Sequence, residues 1–155
     1  MAYKRISINL PFEEKDIYNI IIDISNYPNF IPHCSKVEIN NTSASTNENE
    51  ILAIMHIDYL TIFKTIHLEY ASRITLQPNS YKVFIEEYPK KFFSTFESSW
   101  EIRKAINGCE IIYDIKFEIK NPLLNITLSK LFIDGSKKMV EAFTKRAYNT
   151  LTPIK

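Results

Sequence analysis

The chain has 155 residues, 19 basic against 18 acidic side chains, 45% hydrophobic and 24% charged residues. That is the size and balance of one globular domain, 1–155. A formal charge of +1 excludes the strong basic excess expected of a DNA-binding protein. Ten Phe and nine Tyr stand against only two Gly, which leaves no glycine-rich phosphate loop.

In chain order, a strand is predicted from Tyr3 to Leu10, stopped by Pro11. From Glu13 to Ser25, Ile17, Ile20, Ile21 and Ile24 recur at the spacing of one helical face. Pro28 and Pro32 then force an aromatic corner, Tyr27-Pro28-Asn29-Phe30-Ile31-Pro32. Beyond it the period becomes two. Strands are predicted at Cys34–Asn40, Ile51–Tyr59 and Phe63–Leu76, with a polar hairpin turn over 41–50. Gln77-Pro78-Asn79-Ser80 reads as a turn, and Tyr81, Val83 and Ile85 mark the next strand. Phe92, Ser94, Phe96, Ser98, Trp100 and Ile102 share one strand face. Asn107-Gly108 signals a hairpin into a strand whose dry face carries Ile111, Tyr113, Ile115, Phe117 and Ile119. Asn121-Pro122 is a helix start. Leu128, Leu131, Phe132, Gly135, Met139, Phe143 and Ala147 stripe the long helix that follows. A glycine inside that helix suggests a close backbone approach or a bend.

An antiparallel sheet with one apolar face needs a cover, and the C-terminal helix is the only large one. This predicts an α+β, helix-grip domain: a curved antiparallel sheet wrapped around one long helix. Such a sheet and helix splay at one end, and the gap is a natural apolar cavity. Phe96, Trp100, Tyr113, Phe117, Phe132, Met139 and Phe143 are candidates to line it, and otherwise they are core. Tyr27 and Phe30 on the corner serve either as a lid or as a rigid connector.

The run Ile17 to Cys34, above all Asp23-Ile24-Ser25-Asn26-Tyr27-Pro28-Asn29-Phe30-Ile31-Pro32-His33-Cys34, resembles the signature of the coenzyme Q-binding and RatA-type family. Phe117 to Leu124 resembles its strand-to-helix junction, and Met139-Val140-Glu141-Ala142-Phe143 with Arg146-Ala147 its last helix. Trp100 and Cys109 also sit where the family has Trp and Cys. His33 stands in place of a family Trp, and Lys91-Phe92-Phe93 in place of Gly-Pro-Phe. The resemblance implies a START/Bet v 1-like domain that binds ubiquinone or a related isoprenoid lipid, as a non-enzymatic carrier in respiration. Bacterial relatives carry two other labels: a ribosome-association toxin, which implies the large ribosomal subunit as partner, and a polyketide cyclase.

The residues weigh on these readings. Arg73 and Tyr113 are candidate polar contacts to a quinone oxygen, but no nucleophile, base and orienter fall into a recognisable set. His33, His56 and His67 are the only histidines; the last two fall off the apolar stripes, and no metal site or required cofactor is expected. Cys34 and Cys109 read as reduced, buried thiols. Tyr59 to Phe63, and Lys90-Lys91-Phe92-Phe93, would suit peripheral membrane contact if exposed. Lys130, Lys137, Lys138, Lys145 and Arg146 on the last helix would suit ribosomal RNA, diluted by Asp134 and Glu141. The start of the chain has no apolar leader. The expected location is therefore the bacterial cytoplasm, including the periphery of the inner membrane.

Overall fold

The computed structural model describes residues 1–40, 49–60 and 62–154. The elements are β1 (Ala2–Leu10), α1 (Glu14–Ile22), a 3-10 segment (Ile24–Asn29), β2 (Cys34–Asn40), β3 (Glu50–Leu60), β4 (Thr65–Gln77), a second 3-10 turn (Pro78–Ser80), β5 (Lys82–Glu87), β6 (Phe93–Ala105), β7 (Gly108–Ile119) and α2 (Pro122–Thr150). The hairpin turn expected over 41–50 falls almost wholly outside the described residues. All seven strands form one antiparallel sheet in the order β1-β7-β6-β5-β4-β3-β2. The N-terminal strand therefore closes onto the last strand.

Local chemistry sets the element ends. Asn121 Oδ1 accepts hydrogen bonds from the Leu123 and Leu124 amides at 3.0 and 3.2 Å, so the cap and Pro122 start α2 as expected. Asn125 Oδ1 accepts from the Ile119 amide at 3.0 Å and fastens the helix to the end of β7. The helix predicted over Glu13–Ser25 is shorter. α1 stops at Ile22, and a 3-10 segment takes over where Asp23 leaves helical geometry and Pro28 removes a donor. In the β6–β7 hairpin the loop residues are Ile106 and Asn107, with Asn107 at φ 62°. Gly108 already belongs to the strand. It is small for another reason: a Cβ there would lie 2.0 Å from the Leu10 carbonyl oxygen.

Two side-chain assignments change. A register shift between Phe93 and Thr95 is a β-bulge, which swaps faces at that point. Phe93 is buried with Phe96, Ser98, Trp100 and Ile102 on the inner side, while Ser94 turns outward and the partly exposed Phe92 stays at the rim, 6.3 Å from the Phe132 ring. Glu87 secures the bend: its buried carboxylate accepts from the Lys91, Phe92 and Phe93 amides, each at 3.1 Å. On α2, Leu131 is exposed, and a Cβ on Gly135 would meet nothing within 4 Å. No close backbone approach explains that glycine. The buried stripe runs instead through Ser136, Val140, Phe143 and Ala147. Ser136 fits because its hydroxyl donates to the Phe132 carbonyl at 2.9 Å.

α2 lies across the concave face of the sheet, against β7 and β1, with α1 wedged beside it near β6. Its C-terminal half is sunk in the core, whereas its N-terminal half is only partly covered. Cys34 and Cys109 are buried and free. No helix among the described residues is long and apolar enough to cross a membrane.

Candidate functional site

The expected lining residues fall into two ring clusters. Around the C-terminal half of α2, Trp100 packs on Tyr113 and Phe143 at centroid distances of 4.6 and 4.9 Å. Tyr27 and Phe30 meet Phe143 from the corner at 5.3 and 5.2 Å. Tyr27 donates its hydroxyl to the Ile21 carbonyl, and burial raises that hydroxyl far above the ordinary tyrosine pKa. The corner is thus built as a fixed joint between helix and sheet. A void here, between Ile17, Ile20, Ile21, Ile111 and Phe143, is about 10 Å³, too small for more than about one water.

The second cluster lies under the N-terminal half of α2. Phe93 touches Phe96, Phe117 and Phe132 at 4.8, 6.0 and 5.6 Å, and Phe117 touches Phe132 at 5.7 Å. Tyr70 joins from β4, 5.1 Å from Phe96. Phe117 and Phe93 are fully buried, while Phe96, Phe132, Met139 and Tyr70 are only partly so. In this cluster the rings interlock edge to face.

The apolar surface continues outward. By register, Met55 pairs with Tyr70, Ile57 with Leu68 and Tyr59 with Ile66. Strand alternation puts all six on the concave face. β5 pairs with β4 only as far as Ser72, so the β3–β4 hairpin overhangs the rest of the sheet. Leu68 and Ile66 on the overhang are 41% and 39% exposed, and Ile62 beyond them is 96% exposed. Leu124 on α2 is likewise open to solvent. The result is an open apolar trough whose dry end is the Tyr70–Phe93–Phe132 rings. Residue Thr61, part of the apolar segment noted in the sequence, lies outside the described residues.

Polar atoms inside are few. Burial pushes the Tyr113 hydroxyl pKa up to about 12, with the Ser98 and Ser136 side chains offsetting part of that rise. The Tyr70 hydroxyl is shut from solvent and has no hydrogen-bond partner among the described residues. Burial raises it well above the ordinary tyrosine pKa, with Tyr113, Glu87 and Glu86 adding to the effect. It stays protonated, a buried donor on a ring packed against Phe96. A second unpartnered hydroxyl, Tyr18, lies at the other end of the sheet against Tyr81. Arg73, a candidate polar contact in the sequence, sits on the convex face. There it holds Glu86 at 2.7 Å and covers the Tyr88 ring. It alternates with Ser72 and Ile74, which point inward, so it does not reach the trough.

A surface depression of about 240 Å³ opens elsewhere, between α1, the corner and the end of α2; Phe30 and Arg146 border it. Sequence reasoning missed Phe93 because a bulge leaves no mark in an alternating pattern. It missed Tyr70's role because an orphan hydroxyl is visible only in three dimensions.

A seven-stranded curved antiparallel sheet gripping one long C-terminal helix is the START-like, helix-grip fold. Residues 10–144 match the family of polyketide cyclase / dehydrase and lipid transport proteins, and the chain belongs to that family. It is 29% identical to the ribosome association toxin RatA of Pseudomonas aeruginosa, over 89% of this chain and 90% of that protein. It is 25% identical to the mitochondrial coenzyme Q-binding protein COQ10 homolog B of Xenopus laevis, over 89% of this chain and 54% of that one. The fold is shared with the Zhui aromatase/cyclase of Streptomyces sp. R1128, at a TM-score of 0.81 and 12% identity, covering 95% and 93% of the two chains.

Proposed function

We propose that this protein binds an isoprenoid quinone or a closely similar lipid, without chemistry, in the open trough between α2 and the β3–β4 hairpin. One observation carries the reading: among the described residues the Tyr70 hydroxyl is a buried donor without an acceptor, at one end of an otherwise apolar surface. An unsatisfied buried hydroxyl costs about 1–3 kcal/mol. A quinone carbonyl that displaces the Phe96 ring, which is only partly buried, would satisfy it, and the isoprenoid tail would run over Leu68 and Ile66, gaining about 0.8 kcal/mol per buried methylene. The likeness to a coenzyme Q-binding protein supports the same ligand class. In this seat the tail would lie on an open surface, and the protein would present it at a membrane edge.

Among the described residues the inner face does not bring together an acid–base pair of the kind a cyclase would use. The inner polar groups among the described residues are hydroxyls, and the buried Glu87 carboxylate is spent on three backbone amides. A second reading is favoured by a different observation. The likeness to the ribosome association toxin covers nearly both chains, and Lys130, Lys137, Lys138 and Lys145 are exposed along α2. These side chains would meet RNA phosphates of the large subunit.

Two measurements on the purified chain separate the readings. Organic extraction and mass spectrometry should recover a quinone or isoprenoid lipid, and recovery should drop in Leu68→Asp. Cosedimentation with large ribosomal subunits at moderate salt, lost in Lys137→Glu/Lys138→Glu and kept in Leu68→Asp, would instead support the ribosomal reading.

A further inference from the structure

The convex face of the sheet, opposite the trough, carries a cluster that the trough does not use. His56 on β3 and His67 on β4 lie in a register where Asp58 is opposite His67 and Glu69 is opposite His56. Alternation puts all four on the same outer face, with Glu38 of β2 beside them. His56 Nδ1 is 3.2 Å from His67 Nε2. Glu69 Oε1 lies 3.7 Å from the first and 3.6 Å from the second. The other nitrogen of each ring is taken by a carboxylate: His56 Nε2–H donates to Glu38 at 3.0 Å, and His67 Nδ1–H donates to Asp58.

Those outer hydrogen bonds fix the tautomers. With Nε2 of His56 and Nδ1 of His67 holding protons, the two remaining nitrogens point lone pairs at each other across 3.2 Å. A carboxylate oxygen points at the same spot. Three lone-pair donors converging there repel unless a proton or a metal cation lies between them. The three separations suit an ion about 2.0–2.1 Å from each atom, the bond length of zinc to imidazole nitrogen and carboxylate oxygen. Carboxylates backing ligating histidines are the usual outer shell of such sites. Two imidazoles and one carboxylate favour a d-block ion over magnesium or calcium, which prefer all-oxygen shells.

We propose that His56, His67 and Glu69 form a divalent zinc-class metal site on the outer face, with Glu38 and Asp58 orienting the two rings and a fourth position open to water. The ion clamps β3 to β4, and through Glu38 to β2, so it stiffens the hairpin that forms one wall of the trough. The site stands independently of what the trough binds.

The test is calorimetric titration of the full chain, free of any polyhistidine tag, with zinc chloride at one neutral pH, and with magnesium chloride as the comparison. The site predicts one saturable zinc per chain and a rise in melting temperature with zinc. Affinity should fall at least about tenfold in Glu69→Gln and more in His67→Ala, and about tenfold or more in Asp58→Asn. Cobalt should give the strong visible absorption of a four-coordinate ion, abolished in His67→Ala. These residues are largely solvent-facing, and circular dichroism checks that each variant is folded. Absence of saturable zinc binding overturns the proposal. So does stoichiometric binding unchanged in both His67→Ala and Glu69→Gln, or magnesium binding as tight as zinc.

Discussion

The Tyr70 and Phe96 rings meet at 5.1 Å, with the Tyr70 hydroxyl buried beside them and unpaired. This contact marks where the concave face passes from dry core to open trough. It joins the two halves of the functional reading: an apolar body and one hydrogen-bond donor.

Tyr70→Phe keeps the ring and removes the orphan. In the ligand-free protein it should be neutral or stabilising by up to about 1–3 kcal/mol, because a buried unsatisfied hydroxyl is deleted. Urea unfolding of the two proteins measures it. A loss of more than about 1 kcal/mol would mean that the hydroxyl has a partner within the fold.

Gly108→Ala tests the closure of β1 on β7. The added Cβ would lie 2.0 Å from the Leu10 carbonyl oxygen, so β1 must shift. The expected loss is about 1–3 kcal/mol, read from denaturant midpoints. Gly135→Ala is the counterpart. With nothing within 4 Å, it should stabilise α2 by roughly 0.5–1 kcal/mol through helix propensity.

Asp114 gives a pH dependence. Arg5 donates to both of its oxygens at 2.8 and 2.9 Å, and Tyr3 adds a third bond. These hold its carboxyl below the usual aspartate pKa, the Arg5 hydrogen bonds most of all. Folding therefore favours the ionised form. The stabilisation is complete above the unfolded aspartate value of about 4 and disappears as pH falls through the lower folded value. Arg5 is largely exposed, so the effect is small and salt-sensitive. The melting-temperature gap between wild type and Asp114→Asn should be present at pH 7 and close on acidification. A gap that widened toward pH 3 would contradict the pairing.

Cys109 is buried, and its thiol is pushed up to about 11, first by burial and then by Glu14 and Glu13. Native protein at pH 7.5 should react with a maleimide far more slowly at Cys109 than unfolded protein does, as peptide mass spectrometry would show. Equal rates would place the thiol at the surface.

Much of the fold could be read from local pattern. The alternation from Ile111 to Ile119 sets β7, and Asn121-Pro122 sets the start of α2, because capping and strand periodicity are short-range. What escaped is long-range. The bulge that turns Phe93 inward is anchored by Glu87, several residues away. The meeting of His56 with His67 depends on the β3–β4 register across the overhanging hairpin. Whether the aromatic residues enclose a hollow or fill it depends on how rings from four elements interlock, which spacing does not encode. The nine aromatic and methionine candidates fall in the core or at the trough's edge, while Arg73 faces away.

Titration of the tag-free chain with a short-chain ubiquinone, followed by calorimetry, bears on the proposed trough at its most exposed point. The predicted result is one saturable quinone per chain, with affinity reduced about tenfold in Tyr70→Phe and further in Leu68→Asp, while both variants stay folded. No saturable binding, or equal affinity in all three proteins, would contradict a quinone seated against Tyr70.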